Sequence, residues 1–209
     1  MITPQGYEKD LGFAEKLSAV LGAGDVASLL ITPAPGHDYQ ALATPLVKVA
    51  QEHGVAALLC EDSRIMGRTG ADGLHLEGAI EDIVETVKAH AGREIMGVGD
   101  LGSRHDAMMM GEGPVDYLFF GRLDGDRQPG IFKKSFALAE WWSSLFEVPA
   151  VVMGGTSVES VREAADAAID FVALRNAIFE ASDPQDAIRA ANAYLDQSYE
   201  LKRADLENA

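Results

Sequence analysis

Short runs of apolar residues, rich in Val, Ile, Leu and Ala, recur along the chain, and most are followed by a stretch with helical spacing. The runs fall at 26–32, 55–60, 73–76, 94–98, 116–121, 149–153 and 171–174, with a shorter candidate at 1–4. They are continuously apolar rather than alternating, which suits parallel strands covered on both faces and argues against a sheet wet on one side. Strand followed by helix, repeated, is the pattern of β-α units. In 77–92, Ile80, Ile83, Val84 and Val87 fall at i, i+3, i+4 and i+7, so one stripe can lie on the sheet. Thr156-Ser-Val-Glu159 reads as a capping box ahead of Val161 and Ala165. Ser182-Asp183-Pro184 opens a last helix in which Ile188, Ala191 and Leu195 share a face, with proline in its favoured first position. In 38–53, Pro45 either starts the helix after Thr44 or kinks it. The segment 121–130 has no periodicity and reads as a long loop.

Eight strands alternating with helices allow a closed barrel or an open doubly wound sheet. No G-x-G-x-x-G follows an early strand, and the units are evenly spaced. Both features favour an α/β fold consisting of a single (β/α)8 barrel over 1–209. Such barrels build their sites from the loops after the strands, so chemistry is sought just past each apolar run.

Composition sharpens this reading. At 209 residues the chain fits one domain and can remove roughly 70% of its extended surface from water. The formal charge of −16 repels nucleic acid and anionic membranes, and neither is expected as a partner. A phosphorylated small molecule remains compatible, because backbone amides and one or two arginines can make a locally positive site. Cys60 stands alone, which excludes an internal disulfide and fits a reducing compartment, by default the cytoplasm. Residues 1–9 lack the features of an export signal, and no apolar stretch reaches the ~18 residues of a membrane span.

The positions past the runs are Cys60-Glu61-Asp62, His75-Leu76-Glu77, Gly99-Asp100, Arg122-Leu123-Asp124, Gly154-Gly155-Thr156 and Arg175-Asn176. Gly154 and Gly155 let the backbone approach a ligand closely, Arg175 offers a charged fork for phosphate, and Asn176 can cap the following helix. This pair of loops is where phosphate-binding barrels place the phosphate. The bland alternative is that the glycines make a tight turn and Arg175 balances nearby carboxylates. His75, beside Glu77, is a candidate acid or base or else a hydrogen-bonded scaffold residue. His37, His53, His90 and His105 are expected at the surface. Cys60 is expected to be buried and inert, the alternative being a nucleophile. In Trp141-Trp142 and Met108-Met-Met110 one residue of each group is expected to pack on the barrel and another to face a subunit contact in a homo-oligomer.

Four segments carry a resemblance. Ala71-Asp-Gly-Leu-His-Leu76, Val115-Asp-Tyr-Leu-Phe-Phe-Gly121, Val148-Pro-Ala-Val-Val-Met-Gly-Gly155 and the stretch 171–179 resemble, in order and spacing, segments of the thiamine phosphate synthase and thiazole tautomerase superfamily. The resemblance implies a (β/α)8 barrel that joins a hydroxymethylpyrimidine pyrophosphate to a thiazole phosphate and releases pyrophosphate with Mg²⁺ assistance. It also implies metal carboxylates at Glu61, or at Asp62 if the loop is one residue shorter. Catalytic candidates are then Glu61, His75, Arg122 and Asp124, and phosphate-binding candidates are Gly154, Gly155, Arg175 and Asn176.

The chain departs from the synthase pattern at several places. The arginine and lysine expected after the run 26–32 are replaced within Leu30-Ile-Thr-Pro33. The second metal aspartate falls at Ile80, with Glu81 and Asp82 following, and a serine falls at Gly99. The T-x-T-K segment becomes Asp124-Gly-Asp-Arg-Gln-Pro129, and the tautomerase histidine becomes Arg122, whose pKa above ~12 makes it a poor proton shuttle. Three functions stay open: a diverged synthase with Arg122 or Arg127 replacing the lost cations, a non-catalytic phosphometabolite binder, and an isomerase or lyase acting on another phosphorylated substrate with His75 as base.

Overall fold

The computed structural model describes residues 1–207, with side chains through 201. Seven strands form one parallel sheet in sequence order: β1 (Ser28–Ile31), β2 (Ala56–Cys60), β3 (Gly73–Leu76), β4 (Ile95–Val98), β5 (Tyr117–Phe120), β6 (Ala150–Met153) and β7 (Phe171–Ala173). The eighth stave is residues 1–3. The Ile2 amide donates to the Leu174 carbonyl at 3.0 Å, just past β7, while the Thr3 amide donates to Leu30 in β1 at 3.0 Å. One segment thus joins both sheet edges and closes the barrel, as the sequence pattern predicts. The helices α1 (Phe13–Leu21), α2 (Tyr39–Glu52), α3 (Ser63–Thr69), α4 (Ile80–His90), α5 (Arg104–Gly111), α6 (Lys133–Ser143), α7 (Ser160–Asp166), α8 (Asn176–Phe179) and α9 (Pro184–Glu207) complete the described chain. None of the described helices is long and apolar enough to cross a membrane.

The two-residue period of each strand divides its side chains between two cores. Leu29, Leu59, Leu74, Met96, Leu118 and Val152 point outward and pack with helix residues such as Leu17, Leu46, Ile83 and Trp142. Ile2, Leu30, Leu58, Phe119, Met153 and Ala173 point inward and fill the barrel. Apolar side chains on both faces explain why the strands read as unbroken apolar runs. Trp142 and Met110 are buried in the outer core, Trp141 is partly buried against it, and Met108 and Met109 stand partly in water.

One detail differs from the sequence reading, and one open alternative is decided. Thr156 and Glu159 do not form a capping box, and α7 begins four residues after Thr156. The reason is that the Thr156 amide is bound to the Gln128 carbonyl at 2.8 Å and the Ser157 amide to Pro129 at 3.2 Å, which holds this stretch as a loop. Pro45 lies within α2 rather than starting it, because Asp38 caps the helix by accepting the Ala41 amide at 3.2 Å. The last helix begins at Pro184 as expected, with Asp183 accepting the amides of Gln185 and Asp186 at 2.9 and 3.0 Å.

A repeated device holds the floor. Asp72, Asp116 and Asp170 stand just before β3, β5 and β7, and each carboxylate accepts a backbone amide near the start of the preceding strand. Asp72 takes Ala57 at 2.8 Å, Asp116 takes Met96 at 2.7 Å, and Asp170 takes Ala150 at 2.9 Å. Asp72 and Asp116, from segments that carried the family resemblance, and Asp170 therefore pin neighbouring strands in register, far from the mouth. Removing one strands a part-buried amide, so Asp116→Ala is expected to cost about 2 kcal/mol. A fall in melting temperature of about 5 °C should accompany it in a thermal melt. An unchanged melting temperature would show that the carboxylates do not secure the strand ends.

Candidate functional site

Strand direction brings the chain's polar loops to one end. Past the C-terminal ends of the strands lies a cavity of about 540 Å³, lined among others by Tyr7, Glu8, Thr32, Cys60, Glu61, Glu77, Leu123, Asp124 and Arg175. Glu61 follows β2 in a three-residue turn closed by the Asp62 amide on the Cys60 carbonyl at 2.7 Å, with a left-handed φ of 62°. Such a backbone is costly for a residue with a side chain, and strain of this kind gathers at functional sites. Asp100, in the loop after β4, has the same feature, at φ 55°.

His75 lies inside the barrel next to Glu77, which lines the cavity. It points into the barrel from β3 and is wholly buried. Its Nδ1 is 2.9 Å from the Tyr117 hydroxyl, and the Phe119 ring packs against it edge-on with centroids 5.3 Å apart. Its Nε2 has no hydrogen-bond partner and lies 3.5 Å from Glu77 Oε1, two residues further along the same strand face. Glycines make this room: a Cβ at Gly97 would sit 1.9 Å from the Tyr117 ring, and one at Gly99 would sit 2.6 Å from His75 Nε2. The position where the family pattern has a serine is therefore occupied by the space that His75 and Glu77 need.

The predicted site residues separate into groups. Glu61 lies at the mouth, and Asp62 caps α3 instead, accepting the amides of Arg64 and Ile65 at 3.0 and 2.9 Å. The second mouth carboxylate is Glu77, legible in the sequence only as the residue two past His75. Glu81 and Asp82 lie in the first turn of α4 and do not line the cavity. Asp124 is held between Arg122, at 2.9 Å, and Arg127. The Arg122 guanidinium hydrogen-bonded to Asp124 is the main cause that holds this carboxyl below its usual range.

Of the phosphate-binding candidates Arg175 lines the cavity, while Gly154, Gly155 and Asn176 do not, and each of the four has a donor engaged. The Gly154 amide is bound to the Ala173 carbonyl and the Gly155 amide to Ser160 Oγ, at 2.9 and 3.0 Å. Arg175 pairs with Asp126, and the Asn176 amide donates to the same carboxylate at 2.9 Å. Asp126 carried no sequence signal, since it sits in a loop without periodicity. A Cβ at Gly155 would sit 1.9 Å from the Pro129 carbonyl, so this glycine is required by the loop's close approach.

Among the described residues no three His, Cys, Asp or Glu side chains are grouped to hold a metal. Glu61 and Glu77 nevertheless offer carboxylate oxygens to one cavity, a donor type that suits Mg²⁺, which commonly takes one or two carboxylates and completes its shell with water and phosphate. Burial, and then the charges of Glu77 and Glu61, push the Cys60 thiol far up, which makes it inert. Tyr39 and Tyr117 are raised mainly by burial, and Tyr7 is pushed up to about 12 by burial and then Glu8.

With this geometry in place, the likenesses to other proteins are consistent from end to end. The sequence model of the family described as thiamine monophosphate synthase matches residues 1–178. The chain is 32% identical to a thiamine-phosphate synthase of Hyphomonas neptunium, covering 94% of this chain and 92% of that one. It is 33% identical to one of Rhodospirillum centenum, covering 83% and 85%. In fold it is similar to a thiamine phosphate pyrophosphorylase from Pyrococcus furiosus, with a TM-score of 0.76 at 17% identity over 94% of each chain.

The raised Cys60 pKa has a measurable consequence. The folded state holds the thiol proton more tightly than the unfolded state, so the stability it contributes is full below the unfolded value of about 8.5 and is lost as pH rises. Tyr39 and Tyr117 act in the same direction above about pH 10. Urea unfolding is therefore expected to need less denaturant as pH rises from about 8 to about 10, and less steeply so in Cys60→Ala. Equal slopes in the two proteins would show that the thiol is not the group responsible.

Proposed function

Since the chain belongs to the thiamine monophosphate synthase family, we propose that it joins a hydroxymethylpyrimidine pyrophosphate to a thiazole phosphate, releasing pyrophosphate. The observation that carries this reading is the cavity at the C-terminal strand ends, with Glu61 and Glu77 on its wall together with Arg175. A bond forms between the thiazole nitrogen and the pyrimidine methylene carbon as the bond from that carbon to pyrophosphate oxygen breaks. The leaving charge must be neutralised as it develops.

Glu61 and Glu77 are the residues that would hold Mg²⁺, which when bound supplies that neutralisation. Arg122 and Arg127, exposed on the loop after β5, stand close enough to the mouth to assist once released from Asp124. Arg175 and the Asn176 amide would take the thiazole phosphate. His75, held by Tyr117, stands 3.5 Å from Glu77 and would orient that carboxylate toward the metal. The single thiol, buried and inert, is consistent with work in the cytoplasm.

A second reading, a barrel that binds a phosphorylated metabolite without turning it over, is favoured by one observation. Arg122, Arg127 and Arg175 are each already engaged by an aspartate. Incubation with both substrates and Mg²⁺, with thiamine phosphate read through its fluorescent oxidised form, separates the two. Turnover that depends on Mg²⁺ is expected, falling at least about 100-fold in Glu61→Gln and in Glu77→Gln. No product, with thiazole phosphate still bound, would overturn synthase activity in favour of the second reading.

A further inference from the structure

We infer that Asp126 is an internal competitor for the ligand phosphate, and that it latches the loop 121–130 shut until an anion able to take over Arg175 arrives. This deepens the proposed function and rests on it for the identity of the phosphorylated ligand.

The Asp126 carboxylate grips Arg175 with both oxygens: Oδ1 accepts from Nη2, and Oδ2 accepts from Nε at 3.3 Å. Oδ2 also accepts the Asn176 amide at 2.9 Å. A two-pronged guanidinium contact plus a backbone amide is the donor set that phosphate oxygens seek. The Asp126 side chain is fully buried and that of Arg175 is 7% exposed, yet Arg175 still lines the cavity. The anion position is therefore filled from within, next to the space where a ligand would enter.

Residues 121–132 form no helix or strand. The loop is anchored by Leu123 against the inner core, by Ile131 in the outer core, and by the Gln128 and Pro129 carbonyls, which accept the Thr156 and Ser157 amides. Between these anchors Asp126 is the residue that reaches Arg175. Opening the loop with nothing in its place would leave a buried guanidinium unpaired, which is strongly unfavourable. Opening in exchange for an incoming anion keeps Arg175 paired throughout. Loop movement and anion arrival are thereby coupled.

The exchange also selects. Asp126 brings one negative charge and two oxygens, and it needs no diffusion to arrive. A phosphate ester brings a charge of about −1.5 to −2 and three acceptor oxygens, so it can win where a carboxylate or an alcohol cannot. Asp126 then acts as a specificity residue, rejecting an unphosphorylated acceptor by keeping its own carboxylate on Arg175.

The test titrates inorganic phosphate, and acetate as a control, into the full chain and into Asp126→Asn by calorimetry. Because opening without a ligand strands a buried guanidinium, the site is open about a hundredth of the time or less, and freeing it tightens apparent affinity at least about 100-fold. The latch predicts that gain for phosphate in Asp126→Asn, with no acetate binding to the parent protein. Equal or weaker phosphate affinity in a folded variant, or no phosphate binding by either protein, overturns it.

If Asp126→Asn does not fold, hydrogen exchange on the parent protein decides instead. Saturating phosphate is expected to speed exchange of the amides in 121–130, and unchanged exchange with phosphate bound overturns the latch. Both measurements read binding rather than turnover. An inactive protein with a phosphate-tightened variant would sink synthase activity alone, and an active one with unaltered phosphate affinity would sink the latch alone.

Discussion

A parallel sheet that leaves an edge open exposes unpaired amides and carbonyls, and the seven strands here are only three to five residues long. Residues 1–3 solve this by bonding to Leu30 on one side and Leu174 on the other. Closure has consequences everywhere else. It divides the side chains into an inner and an outer core, and it fixes which residues face the lumen. It also gathers every strand's C-terminal loop around one mouth. The aspartates that hold paired strand starts at 72, 116 and 170 serve the same closure from the opposite end.

Inside the closed barrel space is scarce, so polar residues are admitted only where something has been left out. His75 and Tyr117 share the lumen because positions 97 and 99 have no side chain. Their hydrogen bond fixes one imidazole nitrogen and leaves the other 3.5 Å from Glu77, whose carboxylate lines the cavity.

The mouth has an electrostatic character that follows from the chain's −16 charge. Carboxylates at 8, 61, 77 and 124 surround it, and each nearby arginine is already matched by an aspartate. An anion approaching the mouth meets a net negative rim, so binding one there calls for a compensating positive charge. Arg122 and Arg127, on the loop after β5, are both paired with Asp124.

The sequence by itself determined the barrel, because two-sided burial of short parallel strands writes continuous apolar runs, and the helical stripes between them write a 3.6-residue period. It also determined that Glu61, His75 and Arg175 belong at strand ends, since those positions follow directly from the runs. What the tertiary structure decided was which groups are free to act. Asp62 turned into a helix cap, Glu77 came to the mouth beside Glu61, and Thr156 lost its capping role to a carbonyl from a distant loop. Asp126 reaches Arg175 across 49 positions of sequence, from a loop with no period to read. Periodic burial is a local property and leaves a local trace, whereas a hydrogen-bond partner is chosen by proximity in space, which the chain acquires only once the barrel has closed.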